Sequence, residues 1–370
     1  MTATGEGQVA TAPRAEDVLL DVRDLRTAFE TDFGLVRAVD GVSLTLTAGR
    51  TLGIVGESGS GKTVLARSIM NLLPKRGLQR EGSVRFEGKE ISALPADAMR
   101  HYWGAQMAMI FQDPMTSLNP VMKIGNQITE AIREHLDVTV DFARELAESL
   151  LASVRIPEPK ARLNEYPHQL SGGMRQRVCI AVALACGPTL LFADEPTTAL
   201  DVTVQAQVLD LIARQQTDRF MAMILVTHDL GVVAGRAERV AVMYAGRVVE
   251  QAPTDVLFAD MKMPYSEALL GSIPKLDEHS HTRLATIPGR PPDLGHPPPG
   301  CKFAPRCRYV QDRCLAEEPP LTVGDAAGHR FRCWFPVGTQ AGKEALARNE
   351  RDGRVPAAAA AATAAAVGGA

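Results

Sequence analysis

The chain has 370 residues, room for two or three ordinary domains, and it is 45% hydrophobic and 22% charged with a formal net charge of −3. This charge and an aromatic content of 5% argue against the basic face or stacking platform of a nucleic-acid-binding protein. No run reaches the about 18–20 apolar residues that cross a bilayer, and the N-terminus lacks the charged start and apolar core of a secretory signal.

The first predicted elements are strands. Residues 1–17 are expected to form a disordered leader. The segment VLLDVRDL from Val18 alternates apolar and polar residues as a half-buried strand does, and a second strand is predicted at 38–46. TLGIV at 51–55 is short and apolar, and a glycine-rich turn and the helical run TVLARSIMNLL follow it. The order of strand, loop and helix is typical of α/β proteins.

The middle of the chain changes character twice. MAMIF at 107–111 predicts a buried strand, whereas residues from about 113 to 175 show helical spacing in ITEAIREHL and FARELAESLLASV without a strand signal. Strand character returns at 189–194, 222–228 and 239–250. We therefore predict an α/β domain at 18–255, with a parallel sheet covered on both faces and an inserted helical subdomain at about 113–175.

The composition shifts after about residue 255. Prolines cluster in IPGRPPDLGHPPPG at 287–300, which excludes a packed helix or a central strand there. We predict a small appended Pro- and Cys-rich module at 256–336. A disordered tail rich in Ala, Gly and Arg is predicted at 337–370.

The turn after the strand at 51–55 has the pattern G-x-x-x-x-G-K-[ST] of a phosphate-binding loop, or P-loop. Its glycines let the backbone wrap a phosphate, so that N–H groups and the start of the next helix point at negative charge. Lys62 is expected to contact the β- and γ-phosphates and Thr63 to ligate Mg²⁺. The predicted nucleotide-binding residues are Gly56, Ser58, Gly59, Ser60, Gly61, Lys62 and Thr63.

A second motif ends the strand at 189–194. An apolar run is followed by Asp194 and Glu195, whose side chains point to opposite faces of the strand end. This arrangement places Asp194 near Mg²⁺ and leaves Glu195 to polarise an attacking water. The two motifs together predict a nucleotide hydrolase.

A third motif, LSGGMRQR at 170–177, has a serine and two glycines before the helical run MRQRVCIAVALA. This helix start is a second phosphate-binding site, and one nucleotide has little use for two from a single chain. The economical interpretation is that Ser171, Gly172 and Gly173 contact the γ-phosphate held by the P-loop of another subunit. Nucleotide would then join two chains in a head-to-tail dimer.

With these motifs the chain resembles the ATPases of ABC transporters over about residues 18–255. The resemblance implies a P-loop NTPase ABC cassette that binds ATP and Mg²⁺ and hydrolyses ATP, with Glu195 as catalytic base. It implies that Gln112, in FQDP, senses the γ-phosphate and Mg²⁺, and that His228, in VTHD, contacts the γ-phosphate. Asp201, in the TALD turn at 198–201, would lie at the dimer seam. Phe29 would stack on adenine, with Phe33 as a rival.

Two features narrow the branch. The first is Met174, at a position where glutamine is commoner in the family but where the dipeptide/oligopeptide importers have methionine. The second is the C-terminal sequence IPGRPPDLGHPPPGCKFAPRC, which resembles the tail of the ATPase subunits of those importers. The resemblance implies a peripheral protein on the cytoplasmic face of the cell membrane, coupling ATP hydrolysis to import of di- or oligopeptides. Its partners would be a second, paralogous ATPase or a second copy of itself, two transmembrane permeases and an extracytoplasmic substrate-binding protein, and no nucleic acid.

Two alternatives stay open. One is an importer of another solute, such as nickel, because the cargo is chosen by the partner chains. The other is a non-transport ABC ATPase, a soluble regulatory or repair factor. The short interval between Gln112 and Ser171 favours a transporter over repair proteins, because it has no room for a long coiled coil.

The C-terminal part also contains four close cysteines, Cys301, Cys307, Cys314 and Cys333. Without a secretory signal a disulfide framework is not expected. Four sulfur ligands suit Zn²⁺ or an iron–sulfur cluster, but the spacing lacks the tight C-x2–4-C pairs typical of structural zinc. Four unligated thiols are the remaining interpretation. The resemblance to peptide-importer ATPases implies a [4Fe–4S] cluster.

Overall fold

The computed structural model describes residues 17–32, 34–74, 76–197, 201–273 and 287–353. The predicted leader, apart from Asp17, lies outside the described residues, as do Phe33 and the predicted tail from residue 354. In the parts of the chain that the structure describes, no helix is both long enough and apolar enough to cross a membrane.

Strands and helices alternate through most of the described chain. The strands are β1 (Val18–Thr31), β2 (Gly34–Thr47), β3 (Thr51–Val55), β4 (Leu78–Phe86), β5 (Lys89–Glu90), β6 (Met107–Ile110), β7 (Leu190–Asp194), β8 (Ala222–Thr227), β9 (Arg239–Tyr244), β10 (Arg247–Pro253), β11 (Thr322–Val323) and β12 (Arg330–Phe331). The helices are α1 (Lys62–Ile69), α2 (Ala96–Met99), α3 (Pro114–Ser117), α4 (Ile124–His135), α5 (Val140–Ser153), α6 (Pro159–Arg162), α7 (Gly172–Ala183), α8 (Val202–Arg219), α9 (Leu230–Ala234), α10 (Thr254–Ala259), α11 (Pro264–Gly271), α12 (Asp312–Ala316) and α13 (Gln340–Arg351).

These strands form two sheets. The smaller sheet is antiparallel, with the order β2-β1-β4-β5, and the larger has the order β11-β12-β10-β9-β3-β8-β7-β6. In the larger sheet β9, β3, β8, β7 and β6 run parallel, whereas β10 pairs antiparallel with β9. The predicted parallel sheet is therefore present, and the carboxyl ends of its strands meet at one edge.

The larger sheet is covered on both faces, and alternation along each strand divides its side chains between two cores. In β6, Met107 and Met109 belong to the core shared with β1, β2 and β4. Ala108 and Ile110 belong to the core shared with the helices of the middle segment. Burial on both faces explains why this strand is a continuous apolar run rather than an alternating one.

The segment predicted as a helical subdomain contains α3 to α6 and the start of α7, and no strand among its described residues. In α4, the buried residues Ile124, Ile128 and Ile132 recur every fourth position and form one apolar face. Helix α5 begins after Thr139, whose hydroxyl accepts a hydrogen bond from Phe142 N, and packs on α4. This segment lies between β6 and β7 in the chain, and so between Gln112 and Asp194.

The residues after the proline cluster extend the main sheet rather than standing apart as an appended module. Strand β12 pairs with β10, with Glu250 opposite Phe331. Phe303 is buried in the core beneath the sheet, and cysteines of the same segment pack against that core. The sequence did not indicate this because β11 and β12 are only two residues long.

The prediction of a disordered tail from residue 337 is wrong for residues 340–351, which form α13. Thr339 caps the helix by accepting a hydrogen bond from Gly342 N. Asn349 is buried and donates hydrogen bonds to Arg308 O and Val310 O, 2.8 and 2.9 Å away. The Ala- and Arg-rich composition suggested disorder, whereas the helix packs through a buried face of Gly342, Ala345 and Asn349.

Candidate nucleotide site

The phosphate loop, residues 56–63, connects β3 to α1 in very close contact with neighbouring backbone. A Cβ added at Gly56 would lie 2.2 Å from Met243 O. Gly61 has φ +100°, and a Cβ there would lie 2.2 Å from Ala38 O. Both positions therefore require glycine, for close approach and, at Gly61, also for the left-handed backbone.

Lys62 lies inside this loop. Its Nζ donates hydrogen bonds to Gly56 O at 2.6 Å and to Glu57 O at 2.9 Å, and the side chain is almost fully buried. Burial lowers the pKa of Lys62, while the nearby carboxylates of Glu195 and Asp194 oppose that shift. An ammonium held by carbonyl groups at the start of a helix is placed for exchange onto phosphate oxygens.

Asp194 and Thr63 form the part of the site that fits a magnesium ion. Thr63 Oγ1 donates to Asp194 Oδ1 over 3.0 Å, and Asp194 is fully buried at the end of β7. Asp194 Oδ2 is buried and has no hydrogen-bond partner among the described residues. Burial raises the pKa of Asp194. A buried carboxylate oxygen without a donor, beside a hydroxyl, suits a hard divalent cation.

Three side chains predicted to be catalytic meet at the carboxyl ends of β6, β7 and β8. Gln112 Nε2 donates to Glu195 Oε2 at 2.9 Å, and His228 Nδ1 lies 3.6 Å from the same oxygen. The Glu195 carboxylate raises the pKa of His228. Glu195 has φ +45°, a left-handed conformation that non-glycine residues rarely adopt and that is found at functional sites.

The serine–glycine motif lies at the N-terminus of α7. Ser171 caps the helix by accepting from Met174 N at 3.3 Å, and Ser171 and Gly172 are exposed. Asp201 caps α8 in the same way, accepting from Val204 N at 2.9 Å. A Cβ added at Gly173 would lie 3.1 Å from a Val204 methyl, so the two helix starts are neighbours. Their exposure suits contact with another molecule.

The remaining residues predicted to contact the nucleotide are three of the phosphate loop and Phe29. Ser60 is buried in the loop, whereas Ser58 and Gly59 are exposed. Phe29 is half-buried in β1, paired with Val36 and Leu78. Its stacking on adenine stays a prediction.

Sequence reasoning missed a set of residues that hold the phosphate loop from outside. Both guanidinium NH groups of Arg306 donate to the Glu57 carboxylate, at 2.6 and 2.8 Å. Glu57 N donates to Tyr265 Oη at 2.8 Å. The available signal was an arginine between two clustered cysteines, in CKFAPRC.

The four clustered cysteines line one cavity, together with aromatic and apolar side chains that include Phe303 and Trp334. All four are free thiols. Burial raises the pKa of each thiol, and at Cys307 the three other cysteines add to the shift. Within the described ranges, no group of three or more Cys, His, Asp or Glu side chains is arranged to hold a metal ion. The four cysteines line a common cavity in this structure.

Comparison with known proteins places this site in a family. Residues 39–198 match the ABC transporter family, and residues 249–314 match the C-terminal region of oligopeptide/dipeptide transporters. The chain is 49% identical over 319 residues to the oligopeptide transport ATP-binding protein OppD of Bacillus subtilis (strain 168), a match covering 86% of this chain and 88% of that protein. It is 50% identical over 323 residues to the probable peptide ABC transporter ATP-binding protein y4tR of Sinorhizobium fredii, covering 87% and 96%.

Solved structures support the same assignment. The ATP-binding cassette MJ0796, in a dimeric post-hydrolysis state bound to ADP and Pi, matches with a TM-score of 0.58 at 25% identity, over 64% of this chain and 99% of that one. The protein cbiO1 from Clostridium perfringens, part of the ABC transporter complex cbiONQ, matches with a TM-score of 0.56 at 26% identity, over 66% and 92%. The chain belongs to the ATP-binding proteins of the ABC transporter family, in the branch that contains the oligopeptide transport subunits.

Proposed function

We propose that this chain hydrolyses ATP to drive the import of oligopeptides through partner permeases. The observation that carries the ATPase part is the meeting of Gln112, Glu195 and His228 beside the phosphate loop, next to the buried Asp194 carboxylate, whose Oδ2 accepts no hydrogen bond from the described residues. Peptide cargo is supported by the oligopeptide transport proteins, about half identical over most of their length. Those relatives disfavour the alternatives of a non-transport ATPase and of nickel import.

In this proposal the phosphate loop binds and neutralises the triphosphate. Lys62 exchanges its carbonyl partners for β- and γ-phosphate oxygens, and loop N–H groups hold the remaining charge. Thr63 and Asp194, which are hydrogen-bonded to each other, would hold Mg²⁺, with the Gln112 amide oxygen as a further ligand. When bound, Mg²⁺ supplies positive charge to the transferring phosphoryl group.

Glu195 is the proposed base that orients and polarises the attacking water. The Gln112 amide fixes the direction of its carboxylate, and the strained backbone at Glu195 holds the side chain at the strand end. His228 is exposed, adjoins the same carboxylate and would contact the γ-phosphate. Its raised pKa favours the charged form, which would stabilise negative charge on that phosphate.

The exposed start of α7 is proposed to act on a second subunit. Ser171, Gly172 and Gly173 would contact the γ-phosphate on the partner's phosphate loop, with Asp201 at the seam between the two chains. The second subunit would be a paralogous ATPase or another copy of this chain. Two transmembrane permeases and an extracytoplasmic binding protein would complete the importer, and this chain would lie on the cytoplasmic face of the membrane.

We also propose that Cys301, Cys307, Cys314 and Cys333 bind a [4Fe–4S] cluster, with Zn²⁺ as the alternative. Both proposals are supported by the position of the four cysteines around one cavity and by the preference of these metals for soft sulfur ligands. Iron, sulfide and zinc analysis of anaerobically purified protein, with Cys307→Ser as the comparison, decides between them. About four irons per chain, lost in the variant, would support the cluster. Protein with neither metal would contradict both proposals.

The ATPase proposal is tested on the transport complex purified through a tag on this chain. Glu195→Gln should lower ATP turnover about a hundredfold or more while ATP binding remains and the ATP-bound dimer accumulates. Glu344→Gln, the same change on the exposed side of α13, is the matched control and should turn over normally. Rapid hydrolysis by Glu195→Gln would contradict the assignment of the base. A wild-type complex that neither binds nor hydrolyses ATP would contradict the function.

A further inference from the structure

The second residue of the phosphate loop is held by the C-terminal segment, residues 287–353. Arg306 is 5% exposed and grips the Glu57 carboxylate with two parallel hydrogen bonds, NH1 to Oε2 at 2.6 Å and NH2 to Oε1 at 2.8 Å. This forked geometry is the strongest and most directional form of an arginine–carboxylate pair. It joins residues that are 249 positions apart in the chain.

Arg306 is itself fixed in place by its surroundings. Its Nε donates to Pro288 O at 2.8 Å, and its NH1 also donates to Tyr244 Oη at 3.3 Å. The guanidinium lies 5.9 and 6.0 Å from the ring centres of Tyr244 and Phe303. A side chain held on so many sides has few other rotamers, so it transmits its position to Glu57.

The backbone of Glu57 is also held in place, and its carbonyl contacts Lys62. Glu57 N donates to Tyr265 Oη at 2.8 Å, so that N–H is directed to α11. Glu57 O accepts from Lys62 Nζ at 2.9 Å. Arg306 holds the side chain of Glu57 and Tyr265 holds its N–H, and the carbonyl of the same residue positions the lysine that would meet the β- and γ-phosphates.

A second contact of the same segment reaches the loop at another residue, Ser60. Lys302 Nζ donates to Ala245 O at 3.1 Å, in the tight turn between β9 and β10. The next residue, Gly246, donates its N–H to Ser60 O at 2.9 Å. The C-terminal segment thus reaches the phosphate loop at Glu57 directly and at Ser60 through one turn.

We propose that Arg306 is a positioning residue for ATP binding, which sets the conformation of the phosphate loop through Glu57. This inference rests on the proposed ATPase function and makes the C-terminal segment part of the nucleotide site. Because coupling between two sites is reciprocal, a disturbance of the cysteine cavity beside Arg306 would change ATP affinity, and nucleotide binding would stabilise the segment.

The test is a double-mutant cycle on the purified transport complex, with the ATP dissociation constant and the kcat and KM for ATP as readouts. Arg306→Gln and Glu57→Gln should each raise the dissociation constant and the KM about tenfold, with kcat at saturating ATP changed much less. The double variant should bind no more weakly than Arg306→Gln alone, because both changes break one pair. Arg306→Lys should recover part of the affinity through a single hydrogen bond.

Arg308→Gln is the matched control. Arg308 lies in the same segment and pairs with Glu267 at 2.9 Å. The Arg308→Gln variant should therefore bind ATP with unchanged affinity. Equal loss in Arg308→Gln and Arg306→Gln would show general loosening and overturn the proposal, as would strictly additive effects in the cycle. If Arg306→Gln does not fold, Glu57→Gln on the loop decides alone, and unchanged affinity refutes the proposal. Wild-type protein without ATP binding would instead overturn the ATPase function.

Discussion

Replacing Asp194 by asparagine should stabilise the nucleotide-free protein while removing its response to Mg²⁺-ATP. In the structure the carboxylate is fully buried, and one of its oxygens has no hydrogen-bond partner among the described residues. Asparagine keeps the acceptor for the Thr63 hydroxyl and removes the charge. A buried carboxylate whose role is to bind a cation should lower the free energy of unfolding when the cation is absent.

The direction of the expected stability change follows from the pKa of Asp194. Burial raises the pKa of Asp194 above its ordinary value of 3.8, outweighing the Thr63 hydrogen bond and the positive charges of Arg67 and Lys62. A carboxyl with a raised folded-state pKa contributes its stability below the unfolded value and loses it as the pH rises through the folded value. At neutral pH the carboxylate therefore destabilises the fold. A buried charged acceptor without a hydrogen bond costs about 1–3 kcal/mol or more, so the substitution is expected to raise the free energy of unfolding by about 1–2 kcal/mol.

The assay is thermal unfolding of the purified chain at pH 7 with EDTA and then with Mg²⁺-ATP. For about 1–2 kcal/mol, Asp194→Asn should raise the Tm in EDTA by about 2 °C or more, and Mg²⁺-ATP should add little. Asp210→Asn, which changes an exposed carboxyl paired with Arg236, should shift the Tm by less and keep the nucleotide response. A lower Tm for Asp194→Asn in EDTA would refute the reasoning from burial.

Three further predictions concern individual contacts. Glu195→Gln should lower the pKa of His228, because the carboxylate raises it; an NMR titration of the His228 ring that shows no downward shift would contradict the contact. Gly61→Ala should abolish ATP binding and destabilise the fold by about 1–3 kcal/mol, because the added Cβ would lie 2.2 Å from Ala38 O in a left-handed backbone. ATP binding and thermal unfolding measure the two effects, and normal ATP affinity would contradict the prediction. Asn349→Ala should undock α13 at a cost of about 1–3 kcal/mol, seen as faster amide exchange in residues 340–351, and unchanged exchange would show that other contacts hold the helix.

The parts of this protein that the sequence predicted are those set by local patterns. The strand at 51–55 and the glycine-rich turn after it are recognisable from neighbouring residues, because an apolar run is followed directly by the phosphate-loop pattern. The contacts with Met243 O and Ala38 O that make glycine necessary there are visible only in the structure. The resemblance to ABC transporter ATPases implied that Gln112, Glu195 and His228 surround one γ-phosphate. In the structure they meet because each follows a parallel strand, and the carboxyl ends of such strands share one edge.

The parts that sequence reasoning missed depend on long-range contacts. The pair of Arg306 with Glu57 has no local pattern, since its members are 249 residues apart. Strand β12 is two residues long, too short for any alternation to be recognised. Helix α13 was missed because its buried face consists mainly of the small residues Gly342 and Ala345 and the polar Asn349, which give no strong apolar pattern.

The most direct measurement of the central claim is uptake of a labelled oligopeptide by cells in which this chain is deleted and then restored. Wild-type chain should restore uptake, whereas Glu195→Gln, produced at the same level, should not, because it binds ATP without turning it over. Nickel uptake in the same cells should be indifferent to both. Equal peptide uptake with Glu195→Gln and wild type, or peptide uptake unaffected by the deletion, would contradict the account.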